Sequence, residues 1–406
     1  MTNKEKHIPQ GYKDSPLGII PEEWEVKRLG DISTSFSGGT PKSGNALYYI
    51  GHIPFIRSGE IDKDKTELFL SQAGIEASSA KIVEKGDLLY ALYGANSGQC
   101  SISKIKGAIN QAILCIRPNA ERYFIMSVLQ LNKKRYYNSY LQGGQGNLSG
   151  AIVSNYKIAI PTIEEQENIC SILQLWDSAI EKQSELIKKL KLRKRALMQQ
   201  LLTGKKRLPG FSGKWKRVPV KSFAKEISIR NHEVKDYTVL SCTKYDGLVP
   251  SLEYFGRQIY PKDLGSYKIV PKYHFAYATN HIEEGSIGYQ SKYEYGLISP
   301  MYTVFKTDTS VIDDTFLFAV LKSHHLIYLY QSMMEGSINR RGGLRWDSFS
   351  TIKIDLPPLS EQKAIAVFLI NADKEIELAN EKLACLQSQK RGLMQQLLTG
   401  KKRIMK

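Results

Sequence analysis

Apolar residues recur at alternating steps of four and three between residues 169 and 201. The positions are Ile169, Leu173, Trp176, Ile180, Gln183, Ile187, Leu190, Lys194, Leu197 and Leu201, with two polar interruptions. A sustained pattern of this kind predicts a long amphipathic helix whose apolar stripe packs against another helix. Such a helix would be roughly 50 Å long at 1.5 Å per residue.

The same stripe returns at an offset of 196 residues (394 − 198). The string MQQLLTGKKR occurs at Met198–Arg207 and again at Met394–Arg403, and IPTIEEQ from Ile160 matches LPPLSEQ from Leu356. The second stripe consists of Ile365, Leu369, Ala372, Ile376, Ala379, Leu383, Leu386, Lys390, Leu393 and Leu397. One stripe alone fits an ordinary core helix equally well, but two matched stripes favour helix-on-helix pairing.

Both predicted helices carry the same start and stop signals. Pro161 and Pro357 precede a Glu-Gln pair, which suits the first turn of a helix. Each helix runs to a Thr-Gly pair, so Gly204 and Gly400 are expected just beyond the helix ends. The positive charges of the Lys-Lys-Arg that follows are expected to interact favourably with the negative, C-terminal end of the dipole of their own helix.

The sequence before each helix predicts a mixed α/β domain. Short runs rich in Ile, Val and Tyr are broken by Gly, Pro and Asn turns. Loose correspondences link Trp24–Leu29 with Trp215–Val220, Gly86–Ala91 with Lys272–Tyr277, and Gly107–Ala112 with Gly296–Met301. We therefore predict domains at 1–159 and 208–355, followed by helical regions at 160–207 and 356–406.

The composition of the chain predicts a polyanionic partner. The 406 residues carry a formal charge of +17 and include 23 Tyr. Interleaved Tyr, Lys and Arg suit phosphate contact and stacking, although most single tyrosines fit half-buried strands equally well. An anionic membrane surface is the rival partner. The polar segment Met1–Gln10 and the lack of a long apolar run predict a cytoplasmic protein that spans no membrane.

Motifs for catalysis or metal binding are not visible. Five scattered cysteines form no CxxC pair, and the seven histidines show no HExxH spacing. Gly38–Ser43 only echoes a phosphate-binding loop, and Asp355–Pro358 departs from the amino-methyltransferase motif. Asp62–Lys65 fits a solvated loop better than a nuclease site. We therefore predict no catalytic residues and no metal ligands.

The candidate binding residues lie in polar loops that follow predicted strands. Amides and hydroxyls of Gly-rich turns reach phosphates, Asn and Gln suit adenine edges, and Arg suits guanine or phosphate. A plain surface turn is the alternative for any single loop. The candidates are Ser37, Gly38, Gly39, Thr40, Lys42, Arg57, Tyr93, Asn96, Gln142, Gln145, Asn147, Asn339, Arg340, Arg341 and Arg345.

The chain resembles the specificity subunit of type I restriction–modification enzymes. The resemblance covers nearly the whole chain. It rests on Ile20–Trp24, on the Gly-Gly-Thr-Pro loop at 38–41, on the two Pro-to-Glu-Gln helix starts and on the repeated LMQQLLTGKKR ending. It implies two target recognition domains separated by two helices that form an antiparallel coiled coil with pseudo-twofold symmetry. Each domain would read one half of a bipartite, asymmetric DNA site.

The resemblance also implies partners for the helices. Their seam regions would dock two modification subunits, which methylate adenine, and restriction subunits would add translocation and cleavage. S-adenosylmethionine, ATP and Mg²⁺ would belong to those partners, with no cofactor in this chain. The repeat further predicts that the N-terminal segment packs near the end of the second helix. A self-contained methyltransferase or nuclease and a coiled-coil nucleic-acid-binding scaffold remain the alternatives.

Overall fold

The computed structural model describes residues 7–140, 148–335 and 343–404. The chain divides into two compact units, unit 1 (residues 1–184 and 381–406) and unit 2 (residues 185–380). Because this division cuts both long helices, the four-segment division stays a prediction. Within the described ranges, no helix combines the length and apolar character needed to cross a bilayer.

The helices and strands follow in chain order. The first half contains β1 (Tyr12–Ser15), β2 (Gly18–Pro21), β3 (Glu25–Arg28), β4 (Ser33–Ser37), β5 (Ile53–Ile56), β6 (Leu68–Leu70), α1 (Gln72–Glu76), β7 (Lys81–Val83), β8 (Leu88–Ala91), β9 (Cys100–Ile102), β10 (Gly107–Ile109), β11 (Ile113–Pro118), α2 (Arg122–Leu131), α3 (Lys133–Tyr140), α4 (Gly150–Ser154), β12 (Lys157–Ile160) and α5 (Ile163–Leu201). The second half contains β13 (Lys216–Pro219), β14 (Ala224–Ile227), β15 (Thr238–Thr243), β16 (Gly247–Pro250), α6 (Ser251–Phe255), β17 (Lys268–Pro271), β18 (His274–Ala278), β19 (Ile287–Gln290), β20 (Tyr295–Ile298), β21 (Tyr302–Thr307), α7 (Asp314–Leu321), α8 (His324–Glu335), α9 (Trp346–Phe349), β22 (Lys353–Leu356) and α10 (Leu359–Leu397).

The two units share one sheet topology. Unit 1 has the strand orders β6-β5-β10-β7 and β4-β11-β8-β9, and unit 2 has β16-β15-β20-β17 and β14-β21-β18-β19. The β5–β10 pair and its counterpart β15–β20 are both parallel, while the other pairs in these sheets are antiparallel. The internal repeat is therefore a repeat of fold as well as of sequence.

Strand register corrects one predicted correspondence. Gly107 pairs with Val83 in unit 1, and Gly296 pairs with Val270 in unit 2. Gly86 therefore corresponds to Tyr273 and not to Lys272, so the predicted alignment is wrong by one residue. Both residues adopt positive φ, +94° and +62°. The two turns share a backbone conformation but differ in sequence, so the sequence alone did not reveal the correct alignment.

The long helices pair in antiparallel fashion within each unit. In unit 1 the start of α5 packs with the end of α10, where Ile169 and Leu173 share a core with Leu397. In unit 2 the end of α5 packs with the start of α10 through Leu201 and Ile365. All twenty predicted stripe positions are buried or half-buried, as a packed stripe requires. The helices begin earlier than the stripes indicate, and each has 39 residues.

The lysines that interrupt the two stripes form matching ion pairs. Lys390 pairs with Asp177 in unit 1, and Lys194 pairs with Asp373 in unit 2. Both partners repeat at the offset of 196 residues. A charged pair placed in an apolar seam disfavours other registers, because a shifted register leaves the charges unpaired.

A buried carboxylate joins the start of one helix to the end of the other. In unit 1, Glu165 near the start of α5 accepts two hydrogen bonds from Arg403, at 2.7 and 3.0 Å. It also accepts the indole N–H of the fully buried Trp24, at 3.0 Å. We call this Trp–Glu–Arg arrangement the lock. The Glu165 side chain is 6% exposed, so Arg403 supplies its compensating charge.

The lock recurs in unit 2 with the same residue types. Glu361 accepts hydrogen bonds from Arg207 at 2.5 and 2.6 Å and from the Trp215 indole at 3.3 Å. The Arg207 guanidinium also lies 5.6 Å from the centre of the Trp215 ring. The expectation that the arginines serve their own helix ends is therefore wrong for Arg207 and Arg403, because a buried carboxylate on the other helix binds each one more strongly.

The glutamine beside each lock carboxylate fixes the strand-to-helix connection. Gln166 donates to the Pro161 carbonyl and accepts the amide of Glu121, which precedes α2. Gln362 donates to the Pro357 carbonyl and accepts the amide of Asp313, which precedes α7. The Glu-Gln pair thus ties each long helix both to the other long helix and to its own α/β domain.

The N-terminal segment packs against the end of α10, as predicted. The Tyr12 hydroxyl donates to the Gly400 carbonyl at 2.9 Å, and Arg403 pairs with Glu23 at 2.8 Å. Gly400 and Gly204 have φ of +70° and +68°, which confirms the expected left-handed glycines. They lie three residues beyond the last helical residue.

We predict that Gly400→Ala destabilises the protein more than Gly204→Ala. Both variants force alanine into a left-handed conformation, at about 1 kcal/mol. Only the methyl at 400 would overlap the Pro21 ring, since the atoms nearest a methyl at 204 lie at an ordinary 3.5 Å. Overpacking adds about 1–3 kcal/mol. Urea unfolding of both variants measures the difference, and equal losses would contradict it.

Candidate nucleic-acid interface

The candidate loops of unit 1 leave the same end of its sheets. β4 ends at Ser37 where β11 begins, and β8 ends at Ala91 against the same end of β11. β5 runs parallel to β10 and ends at Ile56, just before Arg57. Loops that are far apart in sequence therefore meet in space, as a recognition surface built on a rigid sheet requires.

A chain of hydrogen bonds joins these loops. Thr40 donates its hydroxyl to Gln111 at 2.5 Å, and the Leu92 amide donates to the Ala112 carbonyl at 2.8 Å. The Leu148 amide in turn donates to the Leu92 carbonyl at 2.9 Å. A Cβ on Gly59 would lie 3.3 Å from the Asn96 amide nitrogen, which places the Arg57 loop beside the loop at 93–98.

The two glycines of the Gly-rich loop have a packing role. A Cβ on Gly38 would overlap the Ile109 carbonyl, and one on Gly39 would overlap the Ser79 hydroxyl. The Gly39 amide already donates to the Ile109 carbonyl at 3.2 Å. This amide is therefore engaged within the fold, whereas the side chain of Lys42 in the same loop is exposed.

Arg57 is engaged by two carboxylates of its own loop. Its guanidinium contacts Glu60 at 3.0 and 3.1 Å and Glu67 at 2.5 Å. These hydrogen bonds raise the pKa of Arg57 above its usual range. The Glu60 side chain is 3% exposed, so Arg57 balances a buried charge. These carboxylates offset the charge of Arg57 and so weaken its attraction to a phosphate.

Unit 2 repeats the same sheet end and adds a cleft of about 380 Å³. β18 ends at Ala278 opposite Tyr302, the first residue of β21, as β8 meets β11 in unit 1. The Leu344 amide donates to the Thr279 carbonyl at 2.9 Å, which matches the Leu148–Leu92 bond. The cleft is lined by Glu226, Lys268, Thr279, Asn280, Pro300, Met301, Tyr302, Thr303, Arg345, Trp346 and Asp347.

The cleft has two cations of different character. Arg345 is exposed at its wall. Lys268 is half-buried and donates to the Tyr302 carbonyl at 2.6 Å. Burial lowers the pKa of Lys268. Arg345 is thus the cation more accessible to an external phosphate or base.

Six predicted residues lie outside the described residues, namely Gln142, Gln145, Asn147, Asn339, Arg340 and Arg341. Tyr93 is half-buried against the core of unit 1, and Asn96 is half-buried in the same loop. Asn280 and Lys268 were not predicted from the sequence, because neither belongs to a Gly-rich or Arg-rich turn. The lock was not predicted either, although its Trp, Glu and Arg occur in both copies of the repeat.

Comparison with known proteins places this fold in one family. The type I restriction modification DNA specificity domain matches residues 21–192 and 253–388 of the chain. A solved S subunit of a type I restriction–modification system from M. genitalium shares the fold with a TM-score of 0.54 at 13% identity, covering 92% of this chain and 96% of that one. The chain therefore belongs to the type I restriction–modification specificity family.

Relatives and a second structure match along almost the whole chain. The type I restriction enzyme MjaVIII specificity subunit of Methanocaldococcus jannaschii is 25% identical, with 98% of both chains covered. The putative MjaX specificity subunit of the same organism is 24% identical, with 97% of both covered. A chain from a structure on complex assembly and conformational transition of the type I R-M system has a TM-score of 0.60 at 16% identity, covering 94% of this chain and 99% of that one.

We predict that Arg57→Ala destabilises unit 1 and that Lys42→Ala does not. Removal of Arg57 leaves Glu60 buried without its cation, at about 2 kcal/mol after allowance for the exposure of Arg57. Lys42 is exposed, so its removal should change stability by less than about 0.5 kcal/mol. Urea unfolding at pH 7 measures both, and equal stability of the two variants would contradict the assignment.

The same pair of variants has an expected pH dependence. Burial raises the pKa of Glu60, but hydrogen bonds from Arg57 and from the backbone amides of Glu67 and Arg57 outweigh it and hold the pKa below 4.5. A depressed folded-state pKa stabilises the protein above the unfolded pKa, and this stabilisation is lost as the pH falls through the depressed value. The loss of unfolding free energy caused by Arg57→Ala should therefore become smaller below pH 4.5.

Proposed function

We propose that this chain is the DNA-binding specificity subunit of a type I restriction–modification complex and that it recognises a bipartite, asymmetric DNA site. The observation that carries the proposal is the combination of a repeated frame with two different sets of loops. Lock, seam and sheet order recur in both units, whereas the loops at the equivalent sheet ends differ in sequence. Two different surfaces on one repeated frame suit two different half-sites.

The charge of the chain supports a polyanionic ligand. The formal charge of +17 supplies attraction to phosphates that does not depend on base sequence. Base edges would then be read by polar side chains of the loops at the two sheet ends. Affinity should fall steeply with salt, because each phosphate contact releases counterions.

The partners in this proposal are two modification subunits and the restriction subunits, which act with this chain on cytoplasmic DNA. The two helical regions would offer them a docking surface. Adenine methylation, ATP-driven translocation and cleavage would reside in those subunits, together with S-adenosylmethionine, ATP and Mg²⁺. This chain would contribute recognition and assembly, without a catalytic centre or cofactor of its own.

Mapping of methylated adenines tests the proposal directly. The chain is co-expressed with its cognate modification subunit in a host free of other adenine methyltransferases, and the genome is sequenced for N6-methyladenine. We expect a two-part motif with a spacer of fixed length, because each unit would read one part. A single uninterrupted motif would contradict two-unit recognition, and methylation without any motif would contradict the specificity role.

A second measurement separates this proposal from a self-contained enzyme. We expect that the purified chain does not bind S-adenosylmethionine in isothermal titration calorimetry, whereas its complex with the modification subunit does. The complex serves as the positive control for ligand and buffer. Saturable binding by the chain alone would overturn the assignment of the cofactor to the partner.

A further inference from the structure

Two equivalent positions carry different chemistry in the two units. We call the Leu148–Leu92 and Leu344–Thr279 hydrogen bonds the clamps, since each ties a late loop to the end of a central strand. The residues that follow the clamp partners are Tyr93 and Ser149 in unit 1 and Asn280 and Arg345 in unit 2. The backbone hydrogen bond of the site is thus the same in both units, while the side chains beside it differ.

Arg345 occupies a position where the other unit uses its side chain for helix capping. Ser149 precedes α4, and its hydroxyl accepts the Ile152 amide at 3.3 Å. Arg345 precedes α9 and makes no side-chain cap. An N-cap side chain is worth about 1 kcal/mol, so unit 2 forgoes local stability at this position. This loss is understandable if the Arg345 side chain serves another purpose.

The side chains of Asn280 and Arg345 are available for a ligand. Both are exposed and line the 380 Å³ cleft. Among the described residues, the Arg345 guanidinium has no hydrogen bond or ion pair, and the Asn280 amide nitrogen has no acceptor. The Asn280 side-chain oxygen accepts a long hydrogen bond of 3.3 Å from the Thr279 hydroxyl. Arginine and asparagine are the side chains best suited to guanine and adenine edges.

The backbone that carries these two side chains is tightly packed. Gly343 has φ of +56° and lies so close to Thr279 and Asn280 that a Cβ would overlap both. Leu344 is 3% exposed, and Trp346 packs against Phe305 and Phe349 with ring centres 5.4 and 5.9 Å apart. Side chains attached to such a tightly packed backbone keep their positions relative to each other, as discrimination between nucleobases requires.

We infer that Asn280 and Arg345 form the base-reading pair of unit 2 and that Tyr93 and Ser149 occupy the equivalent specificity positions of unit 1. The inference rests on the proposed function and adds the residues that distinguish the half-sites. Arg345 would donate two hydrogen bonds to guanine in the major groove, and Asn280 would pair with a neighbouring adenine edge. The ligand is therefore the base-pair edges of duplex DNA.

The test uses the complex of the full chain with its modification subunit. Arg345→Ser and Asn280→Ala are made separately, and initial methylation rates are measured on duplexes that carry every single-base change in each half-site. We expect each variant to lose roughly 10- to 100-fold discrimination at one position of one half-site, the same half-site for both. Discrimination at the other half-site should stay within twofold of the parent chain.

Two controls make the result interpretable. Arg345→Ser introduces the capping residue of unit 1, so its melting temperature should not fall, which separates recognition from misfolding. Lys292→Ala removes an exposed cation beyond the far end of β19 and should leave discrimination unchanged at both half-sites.

Three outcomes would overturn the inference. They are unchanged discrimination in both variants, an equal loss for all sequences, or losses in different half-sites. Failure of the proposed function is a separate outcome, because the parent complex itself would then show no two-part motif.

Discussion

The lock is the interaction on which the architecture depends. A carboxylate near the start of each long helix is buried, and burial of an unpaired charge is strongly unfavourable. The arginine that compensates it comes from the segment that follows the other helix, so the start of each helix is bound to the end of the other. Trp24 and Trp215 complete the two locks and immediately precede the equivalent strands β3 and β13. One residue triple, used twice, therefore joins helix starts, helix ends and domains.

This frame explains why the loops are free to differ. The seam ion pairs Lys390–Asp177 and Lys194–Asp373 favour one register, and the Glu-Gln pairs fix the connection of each helix to its domain. With the sheet ends held in this way, exposed loop positions can take different side chains in each unit. The clamp hydrogen bonds between backbone groups occur in both units. The side chains beside them differ, with Asn280 in the place of Tyr93 and Arg345 in the place of Ser149.

Much of the frame could be predicted from the sequence, because periodicity and repetition are linear signals. The stripes and the offset of 196 residues predict the amphipathic helices, the positions of Gly204 and Gly400, and the packing of the N-terminal segment near the end of α10. The partner of Arg403 could not be predicted, because a basic residue after a helix suits its own dipole as well as a distant carboxylate. Arg57 stays a predicted DNA contact, although the sequence did not indicate its two carboxylate partners, Glu60 and Glu67. Asn280 carries no local signal and becomes a candidate only when strand register aligns it with Tyr93.

A double-mutant cycle on the locks tests the central claim most directly. Glu165→Gln, Arg403→Gln, Arg207→Gln and the doubles of Glu165→Gln with each arginine variant are compared by urea unfolding. The lock predicts that Glu165 and Arg403 are coupled by about 1 kcal/mol or more, whereas the effects of Glu165 and Arg207, which belong to different locks, simply add. Additive effects for Glu165 and Arg403 would contradict the account, because the carboxylate would then not depend on that arginine for its charge balance.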